Sequence, residues 1–523
     1  MAIVTESSYG LRDSGADINK TALALRPYFG SPTQSGIGNN QVTNVDRDTS
    51  ANQFTIRGDQ ALPRGKWINV GRLGGYYNLL PGEVFIGKGR ALNSALYVGG
   101  SIGALRFAGD DLKVTEVLAL DEKRRSCLGE AEQLKAKRNA ASKEIGALMG
   151  QKKLAEAESK KAETRALGDQ ITALDKSAAD AEAARDAILI RLPNPPHASV
   201  PLGKSSADNP EVKLWGAKPE FGFTPKSHVD LCASLKLVDF ERGAKLSGSG
   251  FLLYTNWGAR LERALIQFLL DLHTTQHGYT EVAPPHIVSR DCMVGVGQFP
   301  KFEDQAYAVR EGLDESTLGK LYLLPTAEAP VANIHREEIL PASQLPIYYC
   351  AYSPCFRAEA GAAGVGTRGM IRVHQFDKVE LVKVVRQEDG YAELEKMLAN
   401  AEKVLQLLGL HYRIVLLCTG DMGFASAKTY DIEVWAPGQN AYLEVSSCSN
   451  TDEFQARRMN LRYKDADGHN KFPHLLNGSG TALARLFVAL IETYQQADGS
   501  VLIPEPLRPY LRGADRITAG GKW

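Results

Sequence analysis

Small and apolar residues recur at alternating steps of three and four between residues 112 and 192, where Gly and Pro are sparse. This spacing is typical of a helix that packs along a second helix. The pattern breaks between about 150 and 160 and then resumes, so it predicts an antiparallel helical hairpin with its tip there. Arg124, Arg138 and Arg185 occupy positions within the two stripes. The first stripe contains Val117, Leu120, Cys127, Ala131, Leu134, Ala141, Ile145 and Leu148, and the second contains Leu167, Ile171, Leu174, Ala178, Ala181, Ile188 and Leu192.

Beyond residue 197 helical and strand-like patterns alternate. The strand-like runs follow one another without regular helical crossovers, which favours an antiparallel sheet flanked by helices over a doubly wound parallel sheet. Helices are predicted around 226–240, 257–277, 391–408, 452–463 and 480–497, and strands at 321–324, 348–350, 376–385, 430–435 and 442–446.

Residues 1 to about 105 have a different character. They are rich in Gly, Asn, Thr and Tyr, and short apolar runs alternate with turn residues, which predicts a β-rich segment. Gly82–Gly89 is similar to a phosphate-binding loop, but Gly89 replaces the required Ser or Thr, so a strand and a turn are favoured. The fold class is therefore α+β, with an unassigned N-terminal region at 1–105, the hairpin at 106–196 and a larger mixed domain at 197–523.

The formal net charge is zero, so a nucleic-acid partner would have to bind local basic patches. The hairpin carries basic clusters at 123–125, 135–138 and 152–153, but the solvated face of any coiled coil looks similar. Composition alone therefore favours a dimerisation rod over an RNA-binding arm. Seven cysteines without a C-x-x-C pair indicate free thiols. With neither a signal peptide nor a run long enough for a bilayer, we expect a cytoplasmic protein without a membrane partner.

Two arginines and two carboxylates lie at the ends of a Gly/Ala-rich segment, residues 360–370. Arg357 and Glu359 precede this segment, and Arg372 and Glu380 follow it. The pattern predicts a strand, a loop and a second strand. Arginine binds phosphate oxygens through a planar fork, and carboxylates hold an ammonium group or a metal ion. This mixture suits a site that binds a triphosphate and an amino acid together.

Three further segments carry candidate chemistry. Thr326 and Glu328 follow a strand-like run, and Glu444 precedes a cluster of hydroxyls that ends at Asn450. A carboxylate and a hydroxyl oxygen suit magnesium when phosphates complete the coordination shell. The segment Asn477–Gly480 precedes a helix that bears Arg485, and its glycines let the backbone approach a ligand. Each segment alone is more often a structural feature, such as a helix cap, than a site.

Taken in order, these segments match a known family. Phe356–Glu359 with Arg372–Phe376 resembles motif 2 of class II aminoacyl-tRNA synthetases, Asn477–Arg485 resembles motif 3, and the region around Pro284-Pro285 resembles motif 1. From about Leu112 to Tyr510 the chain closely resembles bacterial-type seryl-tRNA synthetases. Further family signatures are Gly297–Phe302, Tyr430–Trp435, Ser446–Asn450 and Tyr494–Ser500.

The resemblance implies a class II core, preceded by the hairpin, that activates serine with ATP and transfers it to tRNA. Arg357 and Arg485 are implied to be catalytic, Phe376 is implied to stack on adenine, and no zinc is expected. The implied ATP-binding residues are Arg357, Glu359, Val373, Phe376, Glu444, Val445, Ser446, Ser447 and Arg485. The implied serine-binding residues are Thr326, Glu328, Arg357, Glu380 and Ser479, and the implied Mg²⁺ ligands are Glu444 and Ser447.

The resemblance also implies the partners. The hairpin becomes an arm that binds tRNA(Ser) by its shape, with the motif 2 loop facing the acceptor end. Action on tRNA(Sec) and a two-fold homodimer are expected as well. Two alternatives are an amino-acid ligase that charges a carrier protein, against which the long arm argues, and an inactive RNA-binding paralogue, against which the retained site residues argue.

The chain departs from the family at three places. About 105 unrelated residues stand before the hairpin, and they could be an appended domain, a fusion partner or an artefact of the gene model. Val296 stands where the family commonly has threonine, and Gly364–Thr367 of the motif 2 loop lacks the usual polar residues. Because the motif 2 loop faces tRNA in the family, its departure bears on the transfer to tRNA more than on the activation of serine.

Overall fold

The computed structural model describes residues 44–48, 53–57, 113–359 and 369–520. In the N-terminal region, strand β1 (Asn44–Asp48) pairs antiparallel with β2 (Gln53–Arg57). The segment Gly82–Gly89 and the motif 2 loop at 360–368 lie outside the described residues. Contacts divide the chain into two compact units, Met1–Leu192 and Pro193–Trp523.

Helices α1 (Val114–Gly150) and α2 (Leu154–Leu189) form the predicted antiparallel hairpin. Residues 151–153 connect them, within the range predicted for the tip. The buried positions are mainly small, which lets the two helices approach closely. They are Val114, Val117, Ala131, Ala141, Ala157, Ile171, Ala178 and Ala181.

The arginines within the stripes have a structural role that periodicity alone did not show. Arg185 of α2 reaches across to Asp121 of α1, with 2.9 Å between Nη1 and Oδ1, and Arg124 shares the same carboxylate at 3.2 Å. Lys135 and Asp175 form a second ion pair between the helices at 3.0 Å. These pairs fix the register of the two helices through charge as well as through packing.

The second unit is built on an eight-stranded sheet with the order β3-β11-β12-β13-β16-β10-β9-β4. All neighbours are antiparallel except β4 and β9, which confirms the predicted antiparallel sheet. The strands are β3 (Glu211–Trp215), β4 (Thr280–Glu281), β9 (Ile347–Phe356), β10 (Gln375–Val385), β11 (Tyr412–Leu416), β12 (Lys428–Ala436), β13 (Ala441–Asn450) and β16 (His474–Ala482).

Helices and short sheets surround this sheet. The helices are α3 (His228–Leu235), α4 (Phe240–Ser247), α5 (Asn256–Thr275), α6 (Arg290–Gly295), α7 (Glu328–Ala332), α8 (Gly390–Leu407), α9 (Phe454–Met459) and α10 (Leu483–Thr493). The shorter strands are β5 (Ile287–Ser289), β6 (Ala308–Val309), β7 (Leu321–Leu323), β8 (Ile339–Pro341), β14 (Arg462–Lys464), β15 (Asn470–Lys471), β17 (Val501–Leu502) and β18 (Arg516–Ile517).

The two faces of the sheet pack into different apolar clusters. On β10, Val379 and Leu381 belong to the larger cluster, which includes residues of α5, α8 and α10, whereas Val382 and Val384 belong to a smaller cluster. Since side chains alternate along a strand, the even-numbered residues of β10 share one face. Lys378 and Glu380 therefore lie on the face of the smaller cluster.

Four local predictions were wrong. The helix predicted at 452–463 spans only Phe454–Met459, and Arg462–Lys464 form strand β14. The helix predicted at 226–240 is two helices, because Lys236 adopts a left-handed conformation that ends α3. Residues 480–482 belong to strand β16, and α10 begins at Leu483. The strand predicted at 442–446 continues to Asn450 in β13. In the last two cases sheet pairing overrides the turn tendency of Gly and Asn.

Candidate active site

Three buried side chains from separate segments lie together and define a group that is termed the pocket. Thr326 follows β7, Glu328 begins α7 and Glu380 lies on β10. Lys378 joins two of them, since its Nζ donates to Thr326 Oγ1 at 2.9 Å and forms an ion pair with Glu380. Gln455 donates from Nε2 to Glu328 Oε1 at 2.6 Å. The pocket therefore combines buried carboxylates, a hydroxyl and a cation, as a zwitterionic ligand requires.

The pKa of the Glu328 carboxyl is strongly raised. Burial raises its pKa to about 7, and the negative charge of Glu380 adds to the increase. The hydrogen bond from Gln455 and the positive charges of Lys378 and Arg357 act in the opposite direction. A carboxyl with this pKa titrates near neutral pH, which is common at functional sites.

Ser479 completes the pocket from the neighbouring strand. It is buried on β16 and lies directly opposite Glu380, because the pairing of β10 with β16 is irregular between Val379 and Glu380 and skips Gly480. The hydroxyl of Ser446 donates to the carbonyl oxygen of Ser479 at 2.6 Å. The hydroxyl of Ser446 therefore holds β16 in place within the sheet.

Arg357 follows the last residue of β9 and lies beside the same pocket. Its Nε donates to the carbonyl oxygen of Pro325 at 3.4 Å, and the guanidinium carbon lies 5.3 Å from the ring centre of Phe376. Glu359 forms an ion pair with Arg372 at 2.7 Å, which connects the two ends of the motif 2 loop. Val373 is buried just before β10.

Arg485 connects three parts of the site. Its Nη1 donates to the carbonyl oxygen of Glu444 at 2.8 Å and lies 3.4 Å from the Glu444 carboxylate. Its Nε donates to the carbonyl oxygen of Ile371 at 3.1 Å. The arginine of α10 is therefore held between β13 and the segment that leads into β10, with its side chain partly exposed.

Glu444 and Ser447 are three residues apart, so a regular strand would place them on opposite faces. The pairing of β12 with β13 has a bulge, since Ile432 is opposite Ser446 and Glu433 is opposite Glu444. The extra residue is Val445, whose side chain is buried in the core. A bulge of this kind reverses the alternation, which lets Glu444 and Ser447 serve the same face.

Asp431 adds a third oxygen group to this place. It pairs with Ser447 across the two strands, and its Oδ1 is buried without a hydrogen-bond partner among the described residues. Burial and, to a lesser extent, the charge of Glu444 raise the pKa of Asp431 to about 8, against the effect of a hydrogen bond from Ser447. Carboxylate and hydroxyl oxygens crowded together fit a hard divalent cation.

Sequence reasoning missed Lys378, Asp431 and Gln455. A signal existed for Lys378, because Phe376, Lys378 and Glu380 alternate along a predicted strand and must share a face. Asp431 likewise lies within a predicted strand. No local pattern pointed to Gln455, which reaches Glu328 from α9 across 127 positions of sequence.

Known proteins resemble most of this chain. A serine–tRNA ligase of Akkermansia muciniphila is 55% identical over 411 residues, covering 78% of this chain and 94% of the relative. A serine–tRNA ligase of Carboxydothermus hydrogenoformans is 54% identical over 417 residues, covering 80% of this chain and 96% of the relative. The chain belongs to the seryl-tRNA synthetase family. The resemblance stated from the motifs is thereby confirmed.

Two family models place the seryl-tRNA synthetase features along the chain. The seryl-tRNA synthetase N-terminal domain matches residues 104–196, and the class II core domain of synthetases for G, H, P, S and T matches residues 307–494. The first match covers the hairpin, and the second covers Thr326, Glu328, motif 2, Glu444 and Arg485. Residues before 104 lie outside both models.

Solved seryl-tRNA synthetase structures share the fold. The enzyme of Pyrococcus horikoshii complexed with ATP is 38% identical, with a TM-score of 0.74 over 80% of this chain and 97% of that chain. The cytoplasmic serine–tRNA ligase of Naegleria fowleri in complex with AMP is 30% identical, with a TM-score of 0.70 over 80% of this chain and 95% of that chain. Among the described residues, no helix is both long and apolar enough to cross a bilayer.

Proposed function

We propose that the residues of this site divide between them the two steps of serine–tRNA ligation, the activity for which the curated relatives are named. In the first step the carboxylate of serine attacks the α-phosphorus of ATP, and pyrophosphate leaves. In the second step a terminal ribose hydroxyl of tRNA takes the seryl group from the adenylate. Positioning and neutralisation of charge supply most of the rate.

The pocket around Glu380 binds serine. Its carboxylates, Glu328 and Glu380, accept hydrogen bonds from the ammonium and hydroxyl groups, with Thr326 and Ser479 beside them. Arg357 neutralises the serine carboxylate and the α-phosphate, since its guanidinium faces the same pocket. Alanine would leave a buried polar group unpaired, at a cost of about 1–3 kcal/mol.

The neighbouring group of residues binds ATP. Phe376 stacks on the adenine, and Glu359, Val373, Val445 and Ser446 shape the surrounding site. Arg485 binds the far end of the triphosphate through charge-assisted hydrogen bonds from its guanidinium to phosphate oxygens. Arg485 already lies against Glu444, so both residues reach the same part of the site.

Glu444 and Ser447 would hold Mg²⁺, and the unpaired oxygen of Asp431 beside them supports this assignment. When bound, the ion neutralises charge on the phosphates during transfer at phosphorus. The protein supplies the bulge that places both side chains on one face.

The proposal extends to partners and assembly. The hairpin at 106–196 binds tRNA(Ser), and tRNA(Sec) as a second acceptor, while 197–523 forms the catalytic domain. The catalytic core acts in the cytoplasm as a homodimer, and motif 1 forms part of its two-fold interface. A carrier-protein ligase would not need a hairpin of this length, which favours tRNA as the acceptor.

One observation carries the proposal: buried polar and charged groups from separate segments of the chain lie together, namely Thr326, Glu328, Lys378, Glu380 and Gln455. Serine-dependent exchange of labelled pyrophosphate into ATP tests it. Glu380→Gln should abolish exchange, whereas Glu311→Gln, at an exposed glutamate away from the site, should retain it. Absence of exchange in the unaltered protein would refute activation of serine, and charging of a carrier protein instead of tRNA would favour the alternative ligase.

A further inference from the structure

Lys378 is a buried lysine inside the pocket that the family assignment leaves without a task. Its side chain is 8% exposed, and it lies on β10 between Phe376 and Glu380 on the same face. Burial of an ammonium group is costly unless partners compensate for it. An apolar residue would pack here at lower cost, so retention of a charge indicates a role in the chemistry of the pocket.

The contacts of Lys378 are with two groups proposed to bind serine. Its Nζ donates to the oxygen of Thr326 at 2.9 Å and forms an ion pair with Glu380. The backbone N–H of Glu328 donates to the same Thr326 oxygen at 3.2 Å. With two donors on its oxygen, the Thr326 hydroxyl has its hydrogen left to donate to an acceptor.

Lys378 also balances charge. The groups that face it are the carboxylates of Glu328 and Glu380, and the guanidinium of Arg357 faces Glu328 from the end of β9. Burial raises the pKa of the thiols of Cys355 and Cys448, and the negative charge of Glu380 contributes to the increase. Two buried carboxylates side by side tend to retain a proton, and a protonated carboxyl binds an ammonium group poorly. Lys378 opposes this tendency, since its charge favours ionisation of Glu328.

We propose that Lys378 is a positioning residue for serine, which orients the Thr326 hydroxyl, pairs with the carboxylate of Glu380 and favours the ionised form of Glu328, so that the pocket can receive the ammonium group. The inference rests on the proposed function of the pocket. It assigns to Lys378 an effect on the amino acid, with little effect on ATP, because the contacts shown for its ammonium group lie in the serine pocket rather than around Glu444 and Arg485.

Lys378→Met tests the inference, because methionine has a similar length and no charge. In serine-dependent pyrophosphate exchange we expect the KM for serine to rise about tenfold or more, with the KM for ATP changed less than about twofold. The increase should be larger at pH 6 than at pH 8, since loss of the lysine shifts Glu328 further towards its protonated form. Lys378→Arg, which keeps the charge, should restore part of the affinity for serine.

Lys383→Met is the matched control. Lys383 is also buried on β10, but its ammonium forms an ion pair with Glu393 at 2.8 Å on the opposite face of the sheet. We expect this variant to lower the melting temperature and to leave the KM for serine unchanged. A merely structural Lys378 would behave like Lys383.

Two outcomes separate the inference from the proposed function. Suppose that Glu380→Gln abolishes exchange, whereas Lys378→Met has the same KM for serine and the same pH profile as the unaltered protein. The inference is then overturned and the pocket assignment stands. If Glu380→Gln leaves exchange intact, the pocket assignment itself fails. Should Lys378→Met not fold, Lys378→Gln replaces it, since glutamine keeps a donor for Thr326 and removes the charge, and an unchanged KM for serine would again overturn the inference.

Discussion

Glu328 is the residue whose acidity bears most directly on activity. Burial and the charge of Glu380 raise its pKa to about 7, against the effect of Gln455, Lys378 and Arg357. Below this pH the carboxyl is mainly protonated and no longer attracts an ammonium group. We therefore expect the protein to bind serine best on the alkaline side of neutral pH.

The first prediction concerns this pH dependence. The KM for serine should rise as pH falls from 8 to 6, because the protonated fraction of Glu328 grows through its pKa of about 7. Pyrophosphate exchange at a series of serine concentrations and pH values measures it. A KM for serine that stays constant over this range would show that Glu328 does not contact the ammonium group.

The second prediction concerns stability. Because the folded-state pKa of Glu328 lies above its ordinary value of 4.5, unfolding releases a proton between these values, and the free energy of unfolding falls as pH rises from 4.5 to about 7. Glu328→Gln removes this penalty and keeps an oxygen that accepts from Gln455. We expect the variant to be about 1–3 kcal/mol more stable at pH 8, with a smaller gain at pH 5.5, and to lose serine activation.

Thermal melting at the two pH values measures the stability prediction, with Glu311→Gln as the exposed control. A gain that does not depend on pH would contradict the assigned cause. A stabilised but inactive variant would show that the site keeps a buried charge for binding at the expense of stability.

At the scale of elements, the hairpin and the sheet belong to different compact units. Helices α1 and α2 pack through small residues and ion pairs such as Arg185 with Asp121, within the first unit. The residues proposed to bind serine and ATP all lie in the second unit. Activation and tRNA binding should therefore be separable.

The third prediction follows from this division. Replacement of residues 114–190 by a short Gly/Ser linker should leave serine-dependent pyrophosphate exchange within about twofold and should lower charging of tRNA(Ser) at least about tenfold, since long arms of this kind bind RNA by shape and phosphate contacts. Both activities are measured on the same preparation. Undiminished charging would refute the arm assignment.

At the scale of the whole molecule, the N-terminal region stands apart. The curated relatives are covered over 94% and 96% of their length by about four fifths of this chain. The family models begin at residue 104. The residues proposed for the reaction therefore lie in the part of the chain that has counterparts in the relatives, outside residues 1–103.

The fourth prediction is that a variant lacking residues 1–105 retains pyrophosphate exchange and tRNA charging within about twofold of the full chain, because the proposed site draws on residues after 320. Both assays on the two proteins at equal concentration measure it. Loss of charging with retained exchange would give the N-terminal region a role in tRNA binding.

The sequence by itself determined the hairpin and the antiparallel sheet, and it named most of the residues that are proposed for the site. Periods of 3.5 and 2 are local signals, and motifs such as Phe356–Glu359 are contiguous in the chain. The same signals failed at Lys236 and at residues 480–482, where backbone conformation and pairing with distant strands decided the structure.

The tertiary structure alone decided which groups meet. The bulge at Val445 places Glu444 and Ser447 on one face, although their spacing by itself argues for opposite faces. Lys378 reaches Thr326 across 52 positions of sequence, and its charge acts on the distant carboxyl of Glu328. Charge interactions depend on distance in space and on burial, and neither quantity is written in the local pattern of residues.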